Sequence, residues 1–258
     1  MTGINGKALA VERQGSGEAL VMVHGLGGTS NNYSPILGPL SRFFTIIRFD
    51  LEGSGRSPRQ GELSIEGFAA DLQAVMAAHD IHAAHLVGHS MGTIICQHVA
   101  AAAPDKVLSL VLLGPLAEPP PPARQAMHDR AAKARAEGMA AVAETLVVAA
   151  TSAETRAHRP TAVALVRELL MRQDAESYAR TCEALAAAQA ADLAAIRCPT
   201  LLLTGDEDGV APPPAVRQLA RAIAGAELRI FAGCGHWTPV ERPLEVAEAM
   251  LDFYFRRR

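Results

Sequence analysis

The chain has 258 residues, of which 49% are hydrophobic and 20% charged, so it can bury one substantial core and carries no compositional mark of disorder. A formal net charge of −3 and a sequence pI near 6.3 exclude a general attraction to nucleic acid or to an anionic membrane. The opening residues lack the basic region, apolar core and small-residue cleavage site of a secretory leader, and no apolar run reaches spanning length, so the expectation is a cytoplasmic protein.

In chain order, short apolar runs of strand length occur at 19–24, 43–49, 84–88, 107–113, 200–204 and 227–231. Most lack polar alternation, which suits strands buried on both faces. Helical patterns fall between many of them, at 65–79, 91–103, 214–224 and 244–254. This alternation predicts an α/β fold with a mostly parallel, doubly wound central sheet. Between 116 and 195 strand candidates disappear and the sequence becomes rich in Ala, Arg and Glu, opened by the prolines 119–122. That run, semi-rigid and without amide donors, reads as the exit from the sheet. The chain is therefore expected to form a single domain, with a core of 1–115 and 196–258 and an inserted helical cap of about 116–195. The basic end, Arg256, Arg257 and Arg258, reads as a solvated terminus.

Chemistry concentrates at the predicted strand ends. Gly88, His89, Ser90, Met91 and Gly92 follow one strand and open a helix, the context that gives a G-x-S-x-G turn its meaning. Gly88 and Gly92 leave room for a cramped strand-to-helix turn that presents the Ser90 hydroxyl. A serine needs a base, and His236, in a loop between the last strand and the last helix, is best placed to be one. A carboxylate must then orient the imidazole. The loop after 200–204 offers Asp208, with Asp206 as the alternative. A developing oxyanion needs preorganised donors. His24, Gly25, Leu26, Gly27 and Gly28 form a glycine-rich turn that can aim the Leu26 amide inward, while the Met91 amide lies at a helix start, where free N–H groups favour negative charge. The turn lacks the lysine and hydroxyl residue of a nucleotide P-loop and the dinucleotide fingerprint.

Two clusters carry less. His79, His82 and His85 cross a helix-to-strand boundary with no accompanying carboxylate motif and read as solvated surface rather than a metal site. The four cysteines, Cys96, Cys182, Cys198 and Cys234, are scattered without paired spacing and read as reduced thiols.

With these motifs in place, HGLGG at 24–28, RFDLEGSGRS at 48–57, GHSMG at 88–92, GDED at 205–208 and GCGHWTPVERP at 233–243, the chain resembles the α/β-hydrolase superfamily over nearly its whole length. Within it, RAEGMAAV at 135–142 and the loop holding Asp50 are similar to the 3-oxoadipate enol-lactonase branch. The resemblance implies a Ser90, His236, Asp208 triad, a cap over the mouth of the site, no cofactor and no metal. It further implies a small-molecule ester or lactone as substrate. The cap departs from that branch in having Tyr178 as its aromatic and no tryptophan; the chain's single tryptophan, Trp237, lies beside the base. Trp237 and His89 are the candidate pocket residues, and the cap arginines Arg124, Arg130, Arg135 and Arg172 are candidates to pair with a substrate carboxylate. The same triad serves carbon-carbon bond hydrolysis of ring-cleavage products, which is the runner-up activity, and a non-catalytic ligand-binding member of the fold is the remote alternative.

Overall fold

The computed structural model describes residues 1–256; Arg257 and Arg258, the last two of the basic end, lie outside the described residues. A hairpin of β1 (Thr2–Ile4) and β2 (Lys7–Leu9) precedes a seven-stranded sheet of β3 (Val11–Gln14), β4 (Glu18–Val23), β5 (Phe44–Phe49), β6 (Ala84–His89), β7 (Val107–Leu113), β8 (Thr200–Gly205) and β9 (Glu227–Phe231), in the order β3-β5-β4-β6-β7-β8-β9. β3 pairs antiparallel with β5, and every other pairing in the sheet is parallel. The first three strands were not anticipated. The hairpin turns on Asn5 and Gly6, both in the left-handed region at φ 52° and 74°, the backbone that a two-residue hairpin turn requires.

The central strands are buried on both faces, and their side chains divide by strict alternation. Val21, Val23, Ile47, Phe49, Leu110 and Leu112 face α2 (Ile65–Ala78) and α3 (Met91–Ala102). Leu20, Met22, Ile46, Val111 and Leu113 face α1 (Leu37–Leu40) and the last helix, α10 (Pro243–Phe255). A period of two with both faces covered explains why these strands read as unbroken apolar runs.

Between β7 and β8 the chain leaves the sheet for four helices: α4 (Pro121–Ala150), α5 (Ala153–His158), α6 (Pro160–Met171) and α7 (Ala175–Ala187). Gly138, at φ 76° and ψ 177°, breaks α4 into two arms. The proline run does double duty, since Pro120 is the N-cap of α4 and Pro121 and Pro122 form its first turn, where a missing N–H costs nothing. After β8 come α8 (Pro213–Ala222) and, following β9, the short α9 (Thr238–Glu241). Among the described residues no helix is long and apolar enough to cross a membrane. The cysteines are free thiols.

The histidine trio corrects one expectation. His82 is exposed, but His79 and His85 are half-buried; His85 bonds Ser109 Oγ at 2.8 Å and packs against the rings of Phe44 and Tyr254. Its position in β6 turns it toward α10 rather than toward solvent. Among the described residues no group of three or more His, Cys, Asp or Glu side chains is arranged to hold a metal ion.

Candidate active site

Strand order decides where chemistry can sit. The chain runs from β4 outward to β5 and then returns past β4 to β6, so the sheet reverses its winding between β4 and β6. In open parallel sheets that crevice, beyond the carboxyl ends of the strands, is where ligands bind. The turn after β4 carries His24 to Gly28, and the turn after β6 carries Ser90.

Ser90 is held at φ 53° and ψ −121°, a conformation a side chain rarely adopts. Two near contacts explain why glycines flank it. A Cβ on Gly92 would lie 2.1 Å from the Val23 carbonyl oxygen, and one on Gly88 would lie 2.5 Å from the Gly92 carbonyl oxygen. The turn is fixed by the Ser90 amide donating to Leu113 O at 2.9 Å and by the Thr93 hydroxyl donating to Ser90 O at 2.6 Å. The Ser90 side chain itself makes no hydrogen bond among the described residues.

The glycine-rich turn lies against Ser90: a Cβ on Gly25 would be 2.7 Å from Ser90 Cβ. Gly28 N donates to Gly25 O at 3.0 Å, closing a tight turn with Leu26 at its first corner. His24 supports it from below. Its Nδ1 donates to Gly25 O at 2.9 Å and its Nε2 accepts from Leu51 N at 2.9 Å, so the ring is neutral with its proton on Nδ1. Burial lowers its pKa, consistent with that state. The Leu26 and Met91 amides have no acceptor among the described residues, which leaves both free for a ligand atom.

Asp50, singled out in the sequence, shapes the neighbouring loop. Its carboxylate accepts from Ser30 N at 2.8 Å and from the amide and Nε of Arg56, both at 3.0 Å. Burial pushes its pKa up, yet His24, these amides and the guanidinium outweigh that and hold it below the usual range.

Asp208 and His236 are brought together at the ends of β8 and β9. His236 Nδ1 lies 2.9 Å from Asp208 Oδ2, and both are buried. Asp208 Oδ1 also accepts from the Val210 and Ala211 amides at 2.8 Å. Burial raises the carboxyl pKa, but His236 and the two amides lower it further, so the net shift is downward. Asp206 is exposed and its carboxylate accepts from Cys234 N at 3.2 Å; among the described residues it makes no hydrogen bond to the imidazole.

The loop that carries His236 is pinned by a residue that the sequence does not single out. Glu241, fully buried, accepts from the amides of Ser152, Gly235 and Trp237 at 2.8, 3.0 and 3.0 Å. His236 N donates to Ala150 O at 2.9 Å, so the same loop is tied to the end of α4. Glu241 stood within the quoted motif at 233–243, but nothing in its spacing distinguished it from a surface helix residue.

His89 and Trp237 are both buried. His89 Nε2 donates to His236 O at 2.9 Å, and its ring packs against His236 and Trp237 at 5.1 and 5.3 Å. Trp237 joins Val147 and Ala150 of α4 and Val166 and Leu170 of α6 in an apolar cluster. A cavity of about 710 Å³ lies between the exit from β7, the first arm of α4 and the loop after β8, lined by Leu116, Met127, Arg130, Gly209, Val210 and Leu219 among others; Ser90, His236 and the two candidate pocket residues, His89 and Trp237, are not among its lining residues.

Residues 18–243 match the model of a protein family described as alpha/beta hydrolase fold. The chain belongs to this α/β-hydrolase family. It is 34% identical over 238 residues to a pimeloyl-[acyl-carrier protein] methyl ester esterase of Chromobacterium violaceum, covering 88% of this chain and 91% of that one. It is 27% identical to a protein of Pseudomonas savastanoi named as a carbamate hydrolase, RutD, over 91% and 92% of the two chains. A match to the dihydrolipoyllysine-residue acetyltransferase component of an acetoin cleaving system from Cupriavidus necator, 36% identical over 115 residues, spans only 31% of that protein's length. Among solved structures, the enol-lactonase of Burkholderia xenovorans superposes with a TM-score of 0.92 at 29% identity, covering 98% of each chain. This α/β hydrolase therefore shares its architecture with enzymes named for different bonds, and the choice among them lies in the pocket.

Proposed function

We propose that the chain hydrolyses a carboxylic ester or lactone through an acyl-enzyme on Ser90. The observation that carries this reading is the left-handed Ser90 at φ 53° beside two unpaired amides, with a buried Asp208–His236 pair at the neighbouring strand ends. Asp208 accepts the Nδ1 proton of His236, leaving Nε2 to take the Ser90 proton as the hydroxyl attacks the carbonyl. The Leu26 and Met91 amides receive the oxyanion, His236 returns the proton to the leaving oxygen, and a water activated by the same imidazole then releases the acid. With a lactone the leaving hydroxyl stays tethered, so one ring-opened product results. No step calls on a cofactor.

In this reading residues 116–195 act as a cap over the site and the chain works as one domain. Among the cap arginines, Arg124 pairs with Glu118, and Arg135 with Glu176 and Glu183. Arg172 is exposed. Arg130 lines the 710 Å³ cavity, and no acidic partner is found for it among the described residues. That charge suits a substrate carrying its own carboxylate, and the resemblance to enol-lactonases puts 3-oxoadipate enol-lactone first in the class. The test is steady-state hydrolysis of that lactone beside a short p-nitrophenyl ester, each with wild type and Ser90→Ala. A kcat/KM for the lactone far above the ester's, lost in the variant, supports the lactone. Ester turnover alone keeps the chemistry and discards the substrate, and turnover of a carbamate or a carbon-carbon substrate instead would overturn the ester and lactone assignment.

A further inference from the structure

The oxyanion turn is held from two directions. From the sheet side, His24 grips Gly25 O. From the cap side the grip comes from Gln173, in the corner between α6 and α7. This side chain is buried, and its Nε2 has three carbonyl acceptors: Leu169 O at 2.8 Å, Gly28 O at 3.2 Å and Gly27 O at 3.3 Å. Its Oε1 accepts from Gly55 N at 3.3 Å, in the loop that Asp50 organises. Carbonyls on one side and an amide on the other suit only a carboxamide, which donates and accepts from adjacent atoms.

The rest of the corner presses on the same turn. Gly27 has φ 74°, and a Cβ there would lie 2.5 Å from Leu170 Cδ2 and 3.2 Å from Tyr178 Cε2. Position 27 thus favours glycine by its backbone angle, and the Leu170 tip would have to move to admit a side chain. The Leu26 amide belongs to this turn, two peptide units before the Gly27 carbonyl that Gln173 holds and three before that of Gly28.

We infer that Gln173 is a positioning residue for the reaction: from the cap it fixes the 25–28 turn so that the Leu26 amide is aimed at the developing oxyanion. The inference rests on the serine-hydrolase reading above. It makes the catalytic geometry depend on a seated cap, so a substrate that prevents the α6–α7 corner from seating would lose turnover as well as affinity.

The test is the kinetics of phosphonylation by an alkyl fluorophosphonate, which needs Ser90 and the oxyanion donors but no particular ester. Full-length wild type is compared with Gln173→Met, which fills the space without donors, and Gln173→Glu, which keeps the acceptor and sets a carboxylate against three carbonyls. The expected result for Gln173→Met is a limiting rate lower by roughly 10- to 100-fold, below the loss for deleting a direct donor, with the half-saturating concentration and the thermal midpoint nearly unchanged. Gln173→Glu is expected to fall further, the opposite of the order that shape alone would give. Wild-type rates in either variant, or losses that follow lowered thermal midpoints or failure to fold, would make Gln173 a stability residue and overturn the inference while leaving the hydrolase reading intact. A wild type that does not react would overturn both.

Discussion

Acid should destabilise this protein through His89 in particular. Its Nε2 proton is committed to His236 O, so a second proton would have to enter at Nδ1, which is buried without a partner. Burial foremost, and then the neighbouring His236, push its pKa down to about 3. In the unfolded chain the same group titrates at its ordinary value near 6.5, so between those limits the unfolded state binds the proton and the folded state does not. The stability that His89 contributes is fully present above about pH 6.5 and is lost as pH falls toward 3, at about 1.4 kcal/mol per unit. Across that window the loss is roughly 4–5 kcal/mol, comparable with the whole stability of a marginal domain. Urea unfolding at several values between about pH 7.5 and pH 4.5 measures it. His89→Gln retains a donor for His236 O and has nothing to titrate. Its stability should therefore fall less steeply than wild type, by about 1.4 kcal/mol per unit below about pH 6. Parallel curves for the two proteins would refute the argument that His89 is held neutral.

Asp208→Asn should lower kcat by roughly 10³- to 10⁴-fold, through the wrong imidazole tautomer, while Asp206→Asn stays within about tenfold of wild type; steady-state assays in which the order reversed would move the orienting role to Asp206. Glu241→Ala strands three amides around His236 and should cost roughly 2–4 kcal/mol, seen as a lower urea midpoint at constant slope, whereas a shift under about 0.5 kcal/mol would mean those amides find other partners. Arg130→Ala should raise KM for a carboxylate-bearing ester by roughly 10-fold or more with kcat little changed, and leave a neutral ester alone; equal effects on both substrates would remove Arg130 from recognition.

The sheet and the residues at its strand ends were legible because both follow from short-range rules. Buried parallel strands must be apolar on both faces, and a nucleophile turn needs glycine on either side of Ser90 within a strand-to-helix step. Asp208 could be preferred over Asp206 from sequence by loop position, and the geometry separates them through burial and two amides. The N-terminal hairpin was legible in principle from Asn5-Gly6, but its flanking strands are three residues each, too short for a periodic pattern. Gln173 and Glu241 could not be read at all. Gln173 reaches the Gly28 carbonyl 145 residues away and Glu241 the Ser152 amide 89 residues away, and a carbonyl or an amide leaves no signature in the side-chain sequence. The segment 116–195 was the least legible region for the same reason: its Ala-, Arg- and Glu-rich sequence reads as helical, while what those helices press upon is decided by tertiary packing.

The account stands on Ser90 as the nucleophile. Its most direct test is intact-mass and peptide analysis after a fluorophosphonate treatment of the folded protein. The account predicts one adduct per chain, on the peptide that contains Ser90, and none in Ser90→Ala of unchanged thermal stability. An unlabelled wild type, or an adduct that persists at another residue in Ser90→Ala, would contradict it.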